Sequence, residues 1–355
     1  MNFIESVFDK LRHHPKRVVF PEGTEPRILQ AASEFVQLGL GISVLLGKKA
    51  EVEEAAEKAR ISLKKILIID PETAEDLPLF VKRLENLARY KGIADTDARK
   101  IVMNANYFGA LMLQNGQVDG LVGGATSNSG SILRPLFQLI KPLAGVKSIS
   151  SCVVLQVPSA QYGEKGVFTF ADCGVIPNPS VEQLSTIAME SARLFRQLTG
   201  GTPRVAMLSY STKGSAQTQD TEKIVAATAL AKQAFYEKNL TGEVDGELQV
   251  DTALVKEIAE IKAPGSPVAG HANVLVFPDL NSGNIAVKLV HRLTGGEAYG
   301  QILLGLDKPA ADLSRGASVA EIVGVAAIVS MQAIEYRRLY PDQGAGRYET
   351  ASSTN

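Results

Sequence analysis

Arg17-Val-Val-Phe20, Thr24-Glu-Pro-Arg-Ile-Leu-Gln-Ala-Ala-Ser-Glu-Phe-Val-Gln37 and Ile42-Ser-Val-Leu-Leu46 read in succession as strand, helix and strand. The outer runs are short and β-branched, and the middle one is a longer helical pattern. The rhythm continues through a Glu-Ala-Lys-rich stretch from Glu51 to Arg60 and the strand Ile66-Leu-Ile-Ile-Asp70. Helices are predicted around 76–91 and 97–115, then the strand Gly120-Leu-Val122 and a helix near 129–140. Such βαβ succession predicts an α/β protein with a mainly parallel sheet wrapped by helices.

The texture changes at Lys147. Cys152-Val-Val-Leu-Gln-Val157 and Val167-Phe-Thr-Phe-Ala171 read as consecutive strands around the turn-rich Pro158–Gly166, a hairpin-like opening of a second domain. Strands at 204–209 and 273–277 follow, with helices at about 180–198, 215–237 and 282–293. Lys238–Gly270 holds a Gly/Asp/Pro-rich stretch suited to surface loops. Gln301-Ile-Leu-Leu304 and a long helix from Ser318 restore the α/β texture, and the tail 341–355 is polar.

At 355 residues the chain suits about two domains. A net charge of -1 leaves no global field toward nucleic acid or an acidic membrane. Two cysteines, Cys152 and Cys173, make a disulfide scaffold a poor reading and fit a reduced compartment. The start, MNFIESVFDKLRHHPKR, reads as an amphipathic helix rather than a signal peptide, and no uncharged apolar run approaches a membrane span. A soluble, cytoplasmic protein is expected.

Familiar motifs are missing. Gly41-Ile-Ser-Val-Leu-Leu-Gly47-Lys48 has the wrong spacing for a phosphate loop, and Gly39-Leu-Gly41 lacks a third glycine and precedes a strand. His13, His14, His271 and His291 form no metal motif, and no metal is expected. What stands out is Asp312-Leu-Ser-Arg-Gly-Ala-Ser-Val-Ala-Glu-Ile-Val323, which delivers Ser314 and Arg315 just ahead of a helix. Helix N-termini favour anions, and arginine offers a fork matched to phosphate or carboxylate. Ser318 and Glu321 also have capping-box spacing, so Glu321 reads either as a cap or as a site acid.

Three further loops share this plan: Gly123–Pro135, Ser209–Ser215 and Phe277–Asn284. Each could be a plain strand–helix connection. Together they suggest an anion-binding cleft fed by both domains.

These segments resemble the phosphate acetyltransferase branch of the phosphate acyltransferases. The matching blocks are Val19-Phe-Pro-Glu-Gly23, Ala88-Arg-Tyr-Lys-Gly92, Phe170–Pro179, Arg204–Ser215, Val244–Gln249, Val276–Asn281 and Asp312–Gly316, in family order. The resemblance implies two α/β domains with mainly parallel sheets, isocitrate/isopropylmalate dehydrogenase-like, and an interdomain active-site cleft. Residues 1–147 with 306–340 would form the first domain and 148–305 the second. It also implies a homodimer that interconverts acetyl-CoA and phosphate with acetyl phosphate and CoA, with no tightly bound cofactor and no covalent acyl-enzyme.

On the same resemblance Ser314 and Arg315 hold the reacting groups, Glu321 is the catalytic base, and Arg89 and Arg134 bind the CoA phosphates. Asn128, Ser129, Thr212, Lys213 and Asn281 are candidate phosphate or acetyl contacts. The chain departs from the family at three places. Glu321 stands where an aspartate is usual, Ala317 where many members have cysteine, and Asn128-Ser129 where a Ser-Thr pair is common. A phosphate butyryltransferase-like enzyme and a weakly active CoA-binding regulator are the alternative readings.

Overall fold

The computed structural model describes residues 3–91 and 97–339, with the backbone alone for 88–91 and 336–339. The first part runs α1 (Phe3–Arg12), β1 (Lys16–Phe20), α2 (Pro26–Gln37), β2 (Gly41–Leu46), α3 (Lys49–Ala59), β3 (Leu67–Ile69), α4 (Leu77–Lys91), α5 (Ala98–Val102), α6 (Ala105–Gln114), β4 (Gly120–Gly123) and α7 (Ser129–Leu139). Then come β5 (Ser150–Gln156), β6 (Val167–Ala171), α8 (Val181–Thr199), β7 (Arg204–Leu208), α9 (Gln219–Glu237), β8 (Glu243–Leu248), α10 (Val250–Leu254) and α11 (Lys256–Lys262). The chain closes with β9 (Val274–Val276), α12 (Leu280–Thr294), β10 (Glu297–Leu304), β11 (Ala310–Asp312) and α13 (Val319–Leu339). The predicted tail 341–355 lies outside the described residues.

The strands join one sheet in the order β3-β2-β1-β4-β11-β10-β5-β6-β9-β7-β8. Neighbours from β3 to β11 are parallel, as are those from β6 to β8. Between these runs β10 pairs antiparallel with β11 and β5, and β5 with β6. The predicted hairpin is therefore present, with Cys152 opposite Ala171 and Gln156 opposite Val167.

Two expectations need correcting. The helix at 97–115 is broken in two, because Asn104 caps α6 by accepting a 3.0 Å bond from the Asn106 N–H. The stretch read as surface loop within 238–270 contains β8 and two short helices. Asp245, Gly246 and Glu247 are poor strand formers, and the buried carboxylates of Asp245 and Glu247 are held by polar partners from a distant loop that no local pattern displays.

Helices cover both faces. On one, α1, α2, α3, α8, α9 and α13 share a core. On the other, α4–α7 pack over one part of the sheet and α10–α12 over the rest. Helix α13 is apolar all round through Ile322–Val329, and Ala326, Ala327, Ile328 and Val329 are fully buried. Burying side chains such as Ile322, Ile328 and Val329 stabilises the fold by about 1.5–3 kcal/mol each.

This layering positions the site. Strands β4 and β11 are parallel neighbours, yet β4 leads into α7 on one face and β11 into α13 on the other. A crevice opens where adjacent strands send their helices opposite ways, outside their carboxyl ends.

Candidate active site

Three loops leave the carboxyl ends of β1, β4 and β11: residues 21–25, 124–128 and 313–318. The first, together with Arg27 at the start of α2, organises the other two. Glu22 accepts from the N–H groups of Gly124 (2.9 Å), Ala125 (2.7 Å), Thr126 (2.8 Å) and Ser127 (3.2 Å). The hydroxyls of Thr126 and Ser127 add bonds of 2.7 and 3.0 Å. Burial pushes the Glu22 pKa up, but the donors of Thr126, Ala125 and Ser127 outweigh it and hold the carboxyl below its ordinary value. These amides form an anion cradle that Glu22 itself fills, so Ser127–Ser129 are what this loop presents to a ligand.

Arg27 completes the clamp. Its guanidinium donates to the carbonyls of Arg315 (2.8 Å), Ala317 (3.0 Å) and Ala125 (2.9 Å), and to Glu25 at 2.6 Å. It thereby fixes the backbone that carries Ser314 and Arg315. The Val19–Gly23 block and Arg27 are thus the frame of the site, a role that nothing in their spacing announces.

A cleft of about 690 Å³ lies against these loops. Of the residues anticipated from sequence, Asn128, Ser129, Ser314, Arg315 and Glu321 line it together. Ser314 and Arg315 are exposed at its rim, and the Arg315 guanidinium has no partner among the described residues. The Asn128 side chain also caps α7, accepting from the Ser131 N–H at 3.1 Å.

Glu321 is 8% exposed. Its Oε2 accepts from the Ser318 N–H at 2.7 Å, and the Glu321 N–H donates to Ser318 Oγ at 3.2 Å, so the capping box exists. Its Oε1 lies 3.2 Å from His291 Nε2. The capping carboxylate therefore also lines the cleft.

The opposite wall is α12. Asn284, Lys288, His291 and Arg292 line the cleft from one helical face, and Asn284 is anchored by donating to the Cys173 carbonyl at 3.0 Å. Sequence reasoning missed this wall. A Cβ on Gly316 would lie 3.6 Å from Arg292 Nη2, which places that cation beside the Ser314–Gly316 turn.

Asp312 lies on the cleft floor at 3% exposure, and its Oδ1 has no hydrogen-bond partner among the described residues. Gly124 makes room for it: φ there is +104°, and a Cβ would lie 2.4 Å from Oδ1. Burial pushes the Asp312 carboxyl up to about 6, against the hydrogen bond from Ser129 and with help from the nearby Glu22 charge. The unfolded value is about 3.9, so the folded protein binds this proton more tightly. Stability should fall as pH rises from about 4 to about 6 and then level off. Asp312→Asn should remove that decline, as thermal melts over this range will show. A variant with the wild-type slope contradicts the assignment.

The other anticipated residues stand apart from the cleft lining. Lys213 donates to Asp245 Oδ1 (2.6 Å) and the Gly246 carbonyl (3.1 Å). Burial would raise the Asp245 pKa, but hydrogen bonds from Lys213, Lys232 and Ser266 bring it down to about 2. Thr212 is buried and bonded to Gln249 and Ser215, while Asn281 is exposed in the first turn of α12. Arg134 is exposed on α7, near enough to Tyr107 to lower the pKa of its phenol against the larger rise from burial. Arg89 falls in the last turn of α4, where its side chain lies outside the described residues. Both cysteines are buried, and burial pushes both thiols up, so neither is a ready nucleophile.

The profile of the phosphate acetyl/butaryl transferase family matches residues 2–330. The phosphate acetyltransferase of Thermoanaerobacterium thermosaccharolyticum is 47% identical over 335 residues, covering 94% of this chain and 100% of the relative. That of Acetivibrio thermocellus is 44% identical, covering 94% and 98%. A solved phosphotransacetylase from Streptococcus pyogenes aligns with a TM-score of 0.84 at 36% identity, covering 94% of this chain and 100% of that one. By sequence and by fold, this chain belongs to the phosphate acetyl/butaryl transferase family.

Proposed function

We propose that the cleft is where an acetyl group passes directly between CoA and inorganic phosphate. The chain is an acyltransferase, a phosphate acetyltransferase that interconverts acetyl-CoA and phosphate with acetyl phosphate and CoA. The observation that carries the site is convergence: Arg315, without a side-chain partner among the described residues and with its backbone held by Arg27, faces a helix wall bearing Lys288 and Arg292 across a single cleft. Three cations and two carboxyl groups suit an anionic substrate and a proton transfer.

In this reading Arg315 and Arg292 neutralise phosphate, and Ser314 donates to the carbonyl oxygen as charge builds there. Holding both substrates in one cleft supplies orientation. Glu321 provides the carboxylate on which proton removal from the thiol depends. Arg89 and Arg134 bind the remote CoA phosphates, with Asn128 and Ser129 nearer the reacting groups. Thr212, Lys213 and Asn281 contribute from the second domain when it closes, with domains at 1–147 plus 306–340 and at 148–305. The reaction needs no tightly held cofactor. Among the described residues no helix is long and apolar enough to cross a membrane, and the buried, unpaired cysteines fit a cytoplasmic enzyme.

The outer face of α12 carries Ile285, Leu289 and Leu293, which are 63%, 55% and 77% exposed. An apolar stripe of that kind favours burial against a second copy. A homodimer is expected in solution, and Leu289→Lys with Leu293→Glu should sediment as monomer. A monomeric wild type removes this reading.

The functional test is release of CoA from acetyl-CoA by the purified chain. Release should require phosphate and be faster than with butyryl-CoA. Phosphate-independent release, or a butyryl preference, overturns the assignment.

A further inference from the structure

Glu321 occupies the place of a base, but its carboxylate is already engaged. Oε2 accepts from the Ser318 N–H at 2.7 Å, and Oε1 faces His291 Nε2 at 3.2 Å. Its side chain is 10% exposed, against 21% for His291, which borders the cleft. The imidazole makes no other contact of hydrogen-bond or ion-pair type among the described residues, so Nδ1 is uncommitted. A carboxylate against one ring nitrogen fixes the tautomer and leaves the other nitrogen as a base.

We propose that His291 is the proton carrier of the acyl transfer and that Glu321 is the residue that positions it. This rests on the acetyl-transfer reading above. With acetyl phosphate and CoA, the S–H bond breaks and its proton passes to His291 Nδ1 while the sulfur pair forms the S–C bond. The C–O bond to phosphate then breaks, and the imidazolium returns the proton to the departing phosphate oxygen. Atoms and charge balance without another reactant.

The charges around His291 make this workable. Glu321 on α13 stabilises the imidazolium, with Asp312 on β11 also lining the cleft. Lys288 and Arg292 on α12 and Arg315 on the facing loop oppose it, which favours prompt return of the proton. An imidazole, ordinarily near 6.5, is also better matched to a thiol near 8.5 than a carboxylate near 4.3.

The test is the rate of acetyl-CoA formation by wild type, His291→Gln, Glu321→Gln and the double variant, measured against pH. Wild-type turnover comes first, because its absence overturns the acetyl-transfer reading and this proposal with it. Given an active wild type, His291→Gln should lower kcat about 10²-fold or more near pH 7, leaving KM within about threefold. The loss should shrink as pH approaches about 8.5, where the thiol ionises unaided. The double variant should be no worse than the poorer single one. Near-normal kcat for His291→Gln, a pH-independent loss, or multiplying losses in the double variant overturns the proposal while leaving acetyl transfer standing.

Discussion

Replacing Arg315 with alanine is expected to lower kcat/KM by on the order of 10²–10³-fold while leaving the protein folded. The side chain is exposed, has no partner among the described residues and borders the cleft, so the fold loses little with it. What holds the loop is the main chain: Arg27 reaches the carbonyls of residues 315 and 317, and the Ala317 N–H donates to the Ser314 carbonyl at 2.9 Å. None of these contacts involves the Arg315 guanidinium. Arg315→Lys keeps the charge but loses the forked donor, and should recover only part of the rate. A folded Arg315→Ala enzyme with near-normal turnover of acetyl phosphate would remove this residue from the chemistry.

Glu321→Gln is the second large effect, and its size follows from two hydrogen-bond roles. Glutamine can still accept from the Ser318 N–H and close the capping box, so the thermal midpoint should move by less than about 4 °C. Toward His291, however, it must choose. With its oxygen on the Ser318 N–H, its amide N–H faces His291 Nε2, which must then accept. The ring proton moves to Nδ1, the nitrogen that has to be free, and kcat should fall about 10²-fold or more. Glu321→Asp restores the family's usual residue but shortens the arm by one methylene. It cannot serve Ser318 and His291 together at their present separations, so activity should fall here too. Rates and melting curves for both variants decide the matter. A fully active Glu321→Gln enzyme would leave Glu321 as a cap alone.

Much of the fold was legible in the sequence because period and punctuation agree there. Thr24–Gln37 carries a helical pattern with a proline in its first turn, Ser318 onward one opened by a capping box, and β1, β2 and β4 are short apolar runs. Ser314 and Arg315 stood out because a glycine turn between a strand and a helix is a recognisable place for an anion. The capping box at Ser318 and Glu321 was legible too, and the structure adds that its carboxylate also faces the cleft.

Other features needed three dimensions. Asp245 and Glu247 argue against a strand, yet β8 forms because Lys213, Lys232, Ser211 and the Gly214 N–H take up their charges. Helix α12 packs Val287 into the core with Ala286 and Val290 beside it, leaving Ile285, Leu289 and Leu293 exposed and Lys288, His291 and Arg292 along the cleft. A rule that buries the apolar face sends those three polar side chains to solvent and hides them as candidates. Glu22 was visible only as a matching residue in a block. Its work, filling the amide cradle at 124–127, depends on a contact about a hundred positions away.

Isotope exchange tests direct transfer within one cleft without any variant. Purified enzyme would be incubated with acetyl phosphate and labelled inorganic phosphate, with CoA strictly excluded. If the acetyl group moves only between phosphate and a bound thiol, no label should enter acetyl phosphate until CoA is added, whereupon exchange should begin at once. Label entering acetyl phosphate in the absence of CoA would mean that the enzyme itself carries the acetyl group, and would contradict direct transfer.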